Sequence, residues 1–198
     1  MSFNAQTELN NEINSPSSAV EEEYALPANV YATFIMTYFK QDYSYYCGPA
    51  TVKQTLTWFN GTADTQSNIA TDIGGVTSSQ GVLSAATMRS YINNRINMYS
   101  ILNTSYVEVV NPSFDNFVWY MENYYGPPIL RMAGTSSTWR YSTGGHYLNI
   151  SGLYAYDCQL TDPYIQYVVP SMSSGKYYET YERIHAVTIA HHAKSFWW

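Results

Sequence analysis

The sequence predicts an α+β fold, with a helical N-terminal half packed on an antiparallel β-sheet. Three observations predict it. In the first part of the chain apolar residues recur at helical spacing, as in Val52, Leu56 and Phe59. In the second part, runs rich in β-branched and aromatic residues lie between glycine and proline breaks, as at residues 147–156 and 176–181. A chain of 198 residues, 45% hydrophobic and only 12% charged, can bury the core of one domain and is too apolar to be disordered.

Taken in order, residues 1–29 are rich in Asn, Ser and Glu, include Glu21-Glu22-Glu23 and lack apolar periodicity. They read as a flexible tail or a pro-segment, which leaves residues 30–198 as the domain. A helix is expected from Cys47 to the stop signal Asn60-Gly61, with Pro49 in its first turn, where a missing N–H costs nothing. Further helices are expected at 67–73, at 83–94 with Met88, Tyr91 and Ile92 inward, and at 114–125 with Phe117, Val118 and Met121 inward. Residues 106–110 read as a strand. Gly126-Pro127-Pro128 breaks the chain before a sheet built from 129–132, 147–156, 160–162, 164–169 and 176–181. The turn between the second and third of these is expected at Asp157-Cys158. A last helix starts near Glu182, and Phe196-Trp197-Trp198 looks exposed.

Several function classes are excluded by composition. A net charge of −6, with 9 scattered Lys and Arg, argues against nucleic acid. No apolar run approaches the roughly 18 residues of a membrane span, and no Gly-x-x-x-x-Gly-Lys-Ser/Thr phosphate loop is present. No metal-ligand spacing occurs either. His185, His191 and His192 read as surface residues near a helix end, so no metal or cofactor is expected. The first 25 residues lack the basic start and apolar core of a signal peptide, which makes the protein cytoplasmic if Met1 is its native start. Low charge, scarce cysteine and abundant Tyr, Ser, Thr and Asn favour a secreted or cell-surface bacterial product. The 21 tyrosines suit either strand packing or a peptide- or glycan-binding face.

Four residues carry the chemistry. Cys47, in Tyr45-Tyr46-Cys47-Gly48-Pro49-Ala50, sits where a helix begins, and the free N–H groups there favour a thiolate. The same residue also reads as a small buried apolar side chain. His146 follows Gly144-Gly145 at the mouth of a strand, placed to act as a base facing a cleft or to bond a core carbonyl. Asp162, before Pro163, would come close to His146 if the two strands folded back on each other, and there it could fix the imidazole tautomer. Asp-Pro is equally an ordinary turn opener. Gln41, six residues before Cys47, could join the Cys47 N–H in holding an oxyanion. Cys158 reads as a free thiol in a turn, though a disulfide with Cys47 is compatible with the sequence. Trp139 and Tyr141 suit a cleft wall or plain packing.

In order and local spacing these residues resemble the papain-like cysteine peptidases of family thirty-nine, whose best-known members process bacteriocins after double-glycine leaders. The Cys-Gly-Pro-Ala turn, the Gly-His-Tyr strand and the Asp-Pro-Tyr end are most similar to its stand-alone members, over residues 38–198. The resemblance implies a papain-like fold, with Cys47 as nucleophile, His146 as base, Asp162 as orienting carboxylate and Gln41 as oxyanion donor. It implies a peptide or protein substrate and no cofactor. Without an ATPase or membrane domain the double-glycine substrate does not carry over, and Gly74-Gly75 and Gly144-Gly145 read as turns. The expected function is therefore a cysteine peptidase of unassigned substrate and oligomeric state. The alternatives are an acyl or peptidyl transferase on the same scaffold, or a catalytically silent peptide- or glycan-binding module.

Overall fold

The computed structural model describes residues 31–79, 81–82, 84–99, 105–123, 126–169, 174–190 and 195–197. The expected tail 1–29, His191, His192, Tyr124-Tyr125 and Trp198 lie outside the described residues.

Helix α1 (Cys47–Asn60) starts without a side-chain cap and ends at Gly61, whose φ of 74° is the left-handed conformation that a helix stop requires. Its Val52 and Leu56 pack against α2 (Gln66–Ile73) and α3 (Ala85–Tyr99) through Ile69, Ile73, Met88, Ile92 and Ile96. Thr65 caps α2 by accepting the Asn68 N–H at 3.2 Å. Between α2 and α3 runs a small hairpin, β2 (Val76–Thr77) with β3 (Gly81–Val82). Helix α3 starts two residues later than expected and runs on to Tyr99.

Strands β1 (Tyr31–Thr33), β4 (Glu108–Val110), β5 (Ile129–Gly134), β6 (Thr143–Tyr154), β7 (Asp157–Thr161), β8 (Lys176–Thr180) and β9 (Ser195–Trp197) form one antiparallel sheet. Its order is β4-β9-β5-β6-β7-β8, with β1 pairing the far end of β6 beside β5. Side chains alternate across it. Ile129 and Tyr147 face the helical layer, whereas Leu130, Met132, Leu148 and Ile150 face a second core. That second core is closed by α4 (Phe114–Asn123), through Phe117, Val118 and Met121, and by α6 (Tyr181–Ala190), through Ile184 and Val187. Each fully buried aliphatic side chain contributes on the order of 1.5–3 kcal/mol. No helix among the described residues is long and apolar enough to cross a membrane.

Three local expectations are corrected. Residues 164–169 are not a strand: after Pro163 the chain turns into the short helix α5 (Ile165–Val168). The Asp162 carboxylate accepts the Tyr164 N–H at 2.9 Å, an Asx turn that starts the helical turn. The β6–β7 turn falls at Ala155-Tyr156, with Ala155 at φ 53°, so Asp157 and Cys158 are strand residues and Cys158 is buried. Gly144 and Gly145 are not a turn but the start of β6, which places His146 inside the strand, opposite Met132. The stretch 195–197, to which the sequence assigned no element, pairs with both β4 and β5. A backbone segment beside two strands with unpaired hydrogen-bonding groups completes the sheet whatever its side chains.

Candidate active site

The N-terminus of α1 meets the start of β6 and the end of β7 at one seam. A buried polar layer fixes that meeting. Gln54 Nε2 donates to Asn149 Oδ1 at 2.9 Å, and Asn149 Nδ2 donates to Thr55 Oγ1 at 2.9 Å. Thr51 Oγ1 donates to the Tyr147 carbonyl at 3.0 Å, and Gln54 Oε1 accepts the Phe39 N–H at 3.2 Å. All four side chains are fully buried. Satisfied in this way, they set the height of α1 against β6, because a slip by one residue would strand several polar groups without water. Cys47 therefore lies one turn below Thr51, level with His146 and Tyr147.

Cys47, His146 and Asp162 are brought together. His146 Nε2 lies 2.8 Å from Asp162 Oδ1, with both side chains buried. The imidazole also hydrogen-bonds the Cys47 thiol, and with Nε2 turned to Asp162 the nitrogen left for sulfur is Nδ1. The rings of Tyr141 and Tyr164 flank the imidazole, each centred 5.7 Å away.

Asp162 is the most heavily bonded group in the site. Besides His146 and the Tyr164 N–H on Oδ1, its Oδ2 accepts the Tyr141 O–H at 2.5 Å and the Tyr177 O–H at 2.9 Å. Tyr141 packs in the second core, as one of its two sequence readings had it, and also bonds Asp162, a role that for Tyr141 and Tyr177 no sequence signal marks. A tyrosine aimed at a carboxylate from 21 or 15 residues away leaves no local motif. The loop bearing Tyr141 is itself tied down. Arg140 bonds Glu179 at 3.2 Å and the Tyr178 carbonyl at 3.0 Å, while Arg183 bonds Glu179 and the Thr138 carbonyl.

The electrostatics follow from these contacts. Burial pushes the Cys47 thiol up, but the hydrogen bond and charge of His146, with backbone bonds from Tyr147 and Gly48, bring it below its ordinary value. Burial pulls His146 down, yet the Asp162 charge and hydrogen bond, and then Cys47, raise it to about 10. For Asp162, burial is again outweighed, by the His146 charge and by donors from His146, Tyr141 and Tyr164, and its carboxyl is held below the usual range. Burial lifts Tyr141 and Tyr177 well above 10, so both stay protonated donors. Cys158 goes the other way from Cys47: burial, then the Asp157 charge, pushes its thiol up. The two cysteines are both free.

Gln41 is buried near the same seam. Its N–H donates to the Pro163 carbonyl at 3.1 Å, and its side-chain Nε2 donates to the Tyr43 carbonyl at 2.8 Å. It is not among the residues lining the cleft. That cleft, of about 490 Å³, opens over Cys47 and His146 between the β2–β3 hairpin and the start of β6. The hairpin sits directly on the turn that carries Cys47. A Cβ on Gly48 would lie 2.2 Å from Val82 Cγ2, so only glycine lets the two approach.

No protein-family model matches the sequence, and no curated protein matches it. Among solved structures, a crystal structure from Bacillus anthracis, provisionally assigned as a C39-like peptidase, matches with a TM-score of 0.54 and 10% identity. The match covers 83% of this chain and 96% of that one. The fold is C39-like. At that identity the likeness concerns the path of the backbone, and within the C39-like fold the chemistry of this chain rests on its own side chains. Among the described residues no group of three or more His, Cys, Asp or Glu is placed to hold a metal ion.

Proposed function

We propose that this protein is a cysteine peptidase in which Cys47 is the nucleophile, His146 the general base and Asp162 the carboxylate that orients it. One observation supports this reading above the others. A thiol at a helix N-terminus, an imidazole and a four-bonded carboxylate stand in line beneath an open cleft, with the shifts of Cys47 and His146 both favouring a thiolate–imidazolium pair.

The reaction then runs as acyl transfer. The thiolate forms a C–S bond to the peptide carbonyl carbon, and the carbonyl oxygen takes the negative charge. The Cys47 N–H, outside the ladder of α1, faces that charge, and Gln41 is the proposed side-chain donor. An amide nitrogen carries two protons, so the bond to Tyr43 does not by itself commit both. His146 gives its proton to the leaving amine as the C–N bond breaks. Water attacks the thioester, His146 takes its proton, and the C–S bond breaks to return the thiolate. Asp162 keeps the Nε2 proton on its side of the ring throughout.

The experiment is hydrolysis of a mixed fluorogenic peptide pool by the wild type and by Cys47→Ala, His146→Ala and Asp162→Asn. The first two are expected to lose at least about 10³-fold in kcat/KM, and the third less. Full turnover by Cys47→Ala would falsify the assignment.

A further inference from the structure

The cleft holds a charge that the hydrolytic steps do not use. Of the five arginines in the chain, four pair with carboxylates: Arg89 with Glu108, Arg95 with Asp72, and Arg140 and Arg183 with Glu179. The fifth, Arg131, has no ion pair and no hydrogen bond from its guanidinium among the described residues, and it lines the cleft. It stands on β5 opposite Tyr147 of β6, with its guanidinium carbon 5.9 Å from the centre of the Tyr147 ring. The backbone of Tyr147 in turn hydrogen-bonds the Cys47 sulfur. Arg131 is thus one residue removed from the nucleophile.

Among the described residues no Asp or Glu lines the cleft, although the chain carries 15 of them against 9 Lys and Arg. Besides aromatic residues such as Tyr147 and Tyr164, the cleft lining includes small hydroxyl and glycine residues such as Ser78, Ser142 and Gly144, which leave room for a substrate side chain. A half-buried guanidinium in a walled cleft, on a protein of net charge −6, is a local inversion of sign. It suits a planar, bidentate carboxylate partner and rejects a cationic one.

We infer that Arg131 is a specificity residue, selecting substrates that carry a carboxylate close to the scissile carbonyl. This rests on the peptidase reading of Cys47. An acidic side chain and the free α-carboxylate of a chain end supply the same chemistry, and the test separates them.

Cys47 is alkylated in the full chain by iodoacetate and by iodoacetamide, in wild type, Arg131→Gln and Arg131→Lys. With either reagent the thiolate displaces iodide and forms an S–CH₂ bond, so the two differ only in carboxylate against amide. Attraction of iodoacetate by the His146 imidazolium is common to all three proteins and cancels. The ratio of iodoacetate to iodoacetamide rate constants is expected to fall roughly fivefold in Arg131→Gln, as for one charge acting across a partly solvated cleft. It is expected to be largely retained in Arg131→Lys, and in wild type to fall as salt is added. An unchanged ratio in Arg131→Gln overturns the specificity assignment and leaves the nucleophile standing. A Cys47 inert to both reagents in all three proteins overturns both readings. Quenched peptides differing only by Glu for Gln, with blocked ends, and peptides differing only by a free or amidated C-terminus, then identify the source. Preference within the first pair assigns an acidic side chain and within the second a chain end, while preference within neither overturns the proposal.

Discussion

Asp162 shows how much a single residue can gather. A buried carboxylate without partners would be protonated, yet three donors and the neighbouring imidazole hold it ionised. Because its folded pKa lies below the unfolded value of about 3.9, its contribution to stability is present above that pH and is lost as pH falls through the folded value. For His146, raised to about 10, the contribution is complete below about 6.5 and is lost as pH rises through 10. The stability difference between wild type and Asp162→Asn, measured by urea unfolding, is therefore expected to be largest between about pH 4 and 6.5 and to shrink on either side. Tyr141→Phe removes one charged hydrogen bond, and a loss of about 1–3 kcal/mol is expected in the same experiment. The opposite shifts of the cysteines give a separate test. Iodoacetamide at neutral pH should modify Cys47 and leave Cys158 untouched, as read by peptide mass mapping. Equal labelling of both would contradict the electrostatic description.

At the scale of elements, the site depends on how α1 is seated. Gln54, Thr55 and Asn149 tie it to β6, while Gly48 admits the β2–β3 hairpin to its first turn. Gly48→Ala drives a methyl group into Val82, a branched side chain with little room to swing, at a cost of about 1–3 kcal/mol. Because the hairpin walls the cleft, kcat/KM toward peptides is expected to fall in this variant. The iodoacetamide reactivity of Cys47 should fall much less, since its contacts with His146 come from β6. An equal fall in both would show that the hairpin supports Cys47 itself rather than the cleft wall.

At the scale of the whole molecule, the sheet lies between two cores that share strands β5 and β6. Ile129 and Tyr147 belong to one core, and Leu130 and Leu148 to the other, so neither core can open without breaking the strands of its neighbour. Unfolding is accordingly expected to be one cooperative transition, with far-UV and near-UV circular dichroism coinciding in denaturant. Two separated transitions would indicate that the helical layer and the sheet fold independently. Arg131 belongs to this scale as well, because its lack of an ion pair among the described residues is set by where the other charged residues fall around the fold.

Much of the element plan was legible in the chain, because it is carried by local signals. The α1 boundaries follow from Pro49 and from Asn60-Gly61, and the apolar periods of α3, α4 and the central strands identify their inward faces. The α+β class comes from the same kind of signal, whereas the meeting of the Cys-bearing helix with the His-bearing strand was expected from the family resemblance. Where local signals conflict, tertiary contacts decided. Residues 164–169 have strand composition, but the Asp162 side chain starts a helical turn there. The pairing of β9 with β4 and β5 was not visible because strand pairing depends on which edges lie nearby. The sequence by itself determined which residues could do chemistry: a thiol at a helix start, an imidazole after two glycines and a carboxylate before a proline. Only the tertiary structure decided what surrounds them: two tyrosines on Asp162, a polar layer under α1 and an arginine in the cleft with no ion pair among the described residues. The physical reason is range. Backbone preference acts over a few residues, whereas hydrogen bonds and charges act through space between residues brought together only by folding.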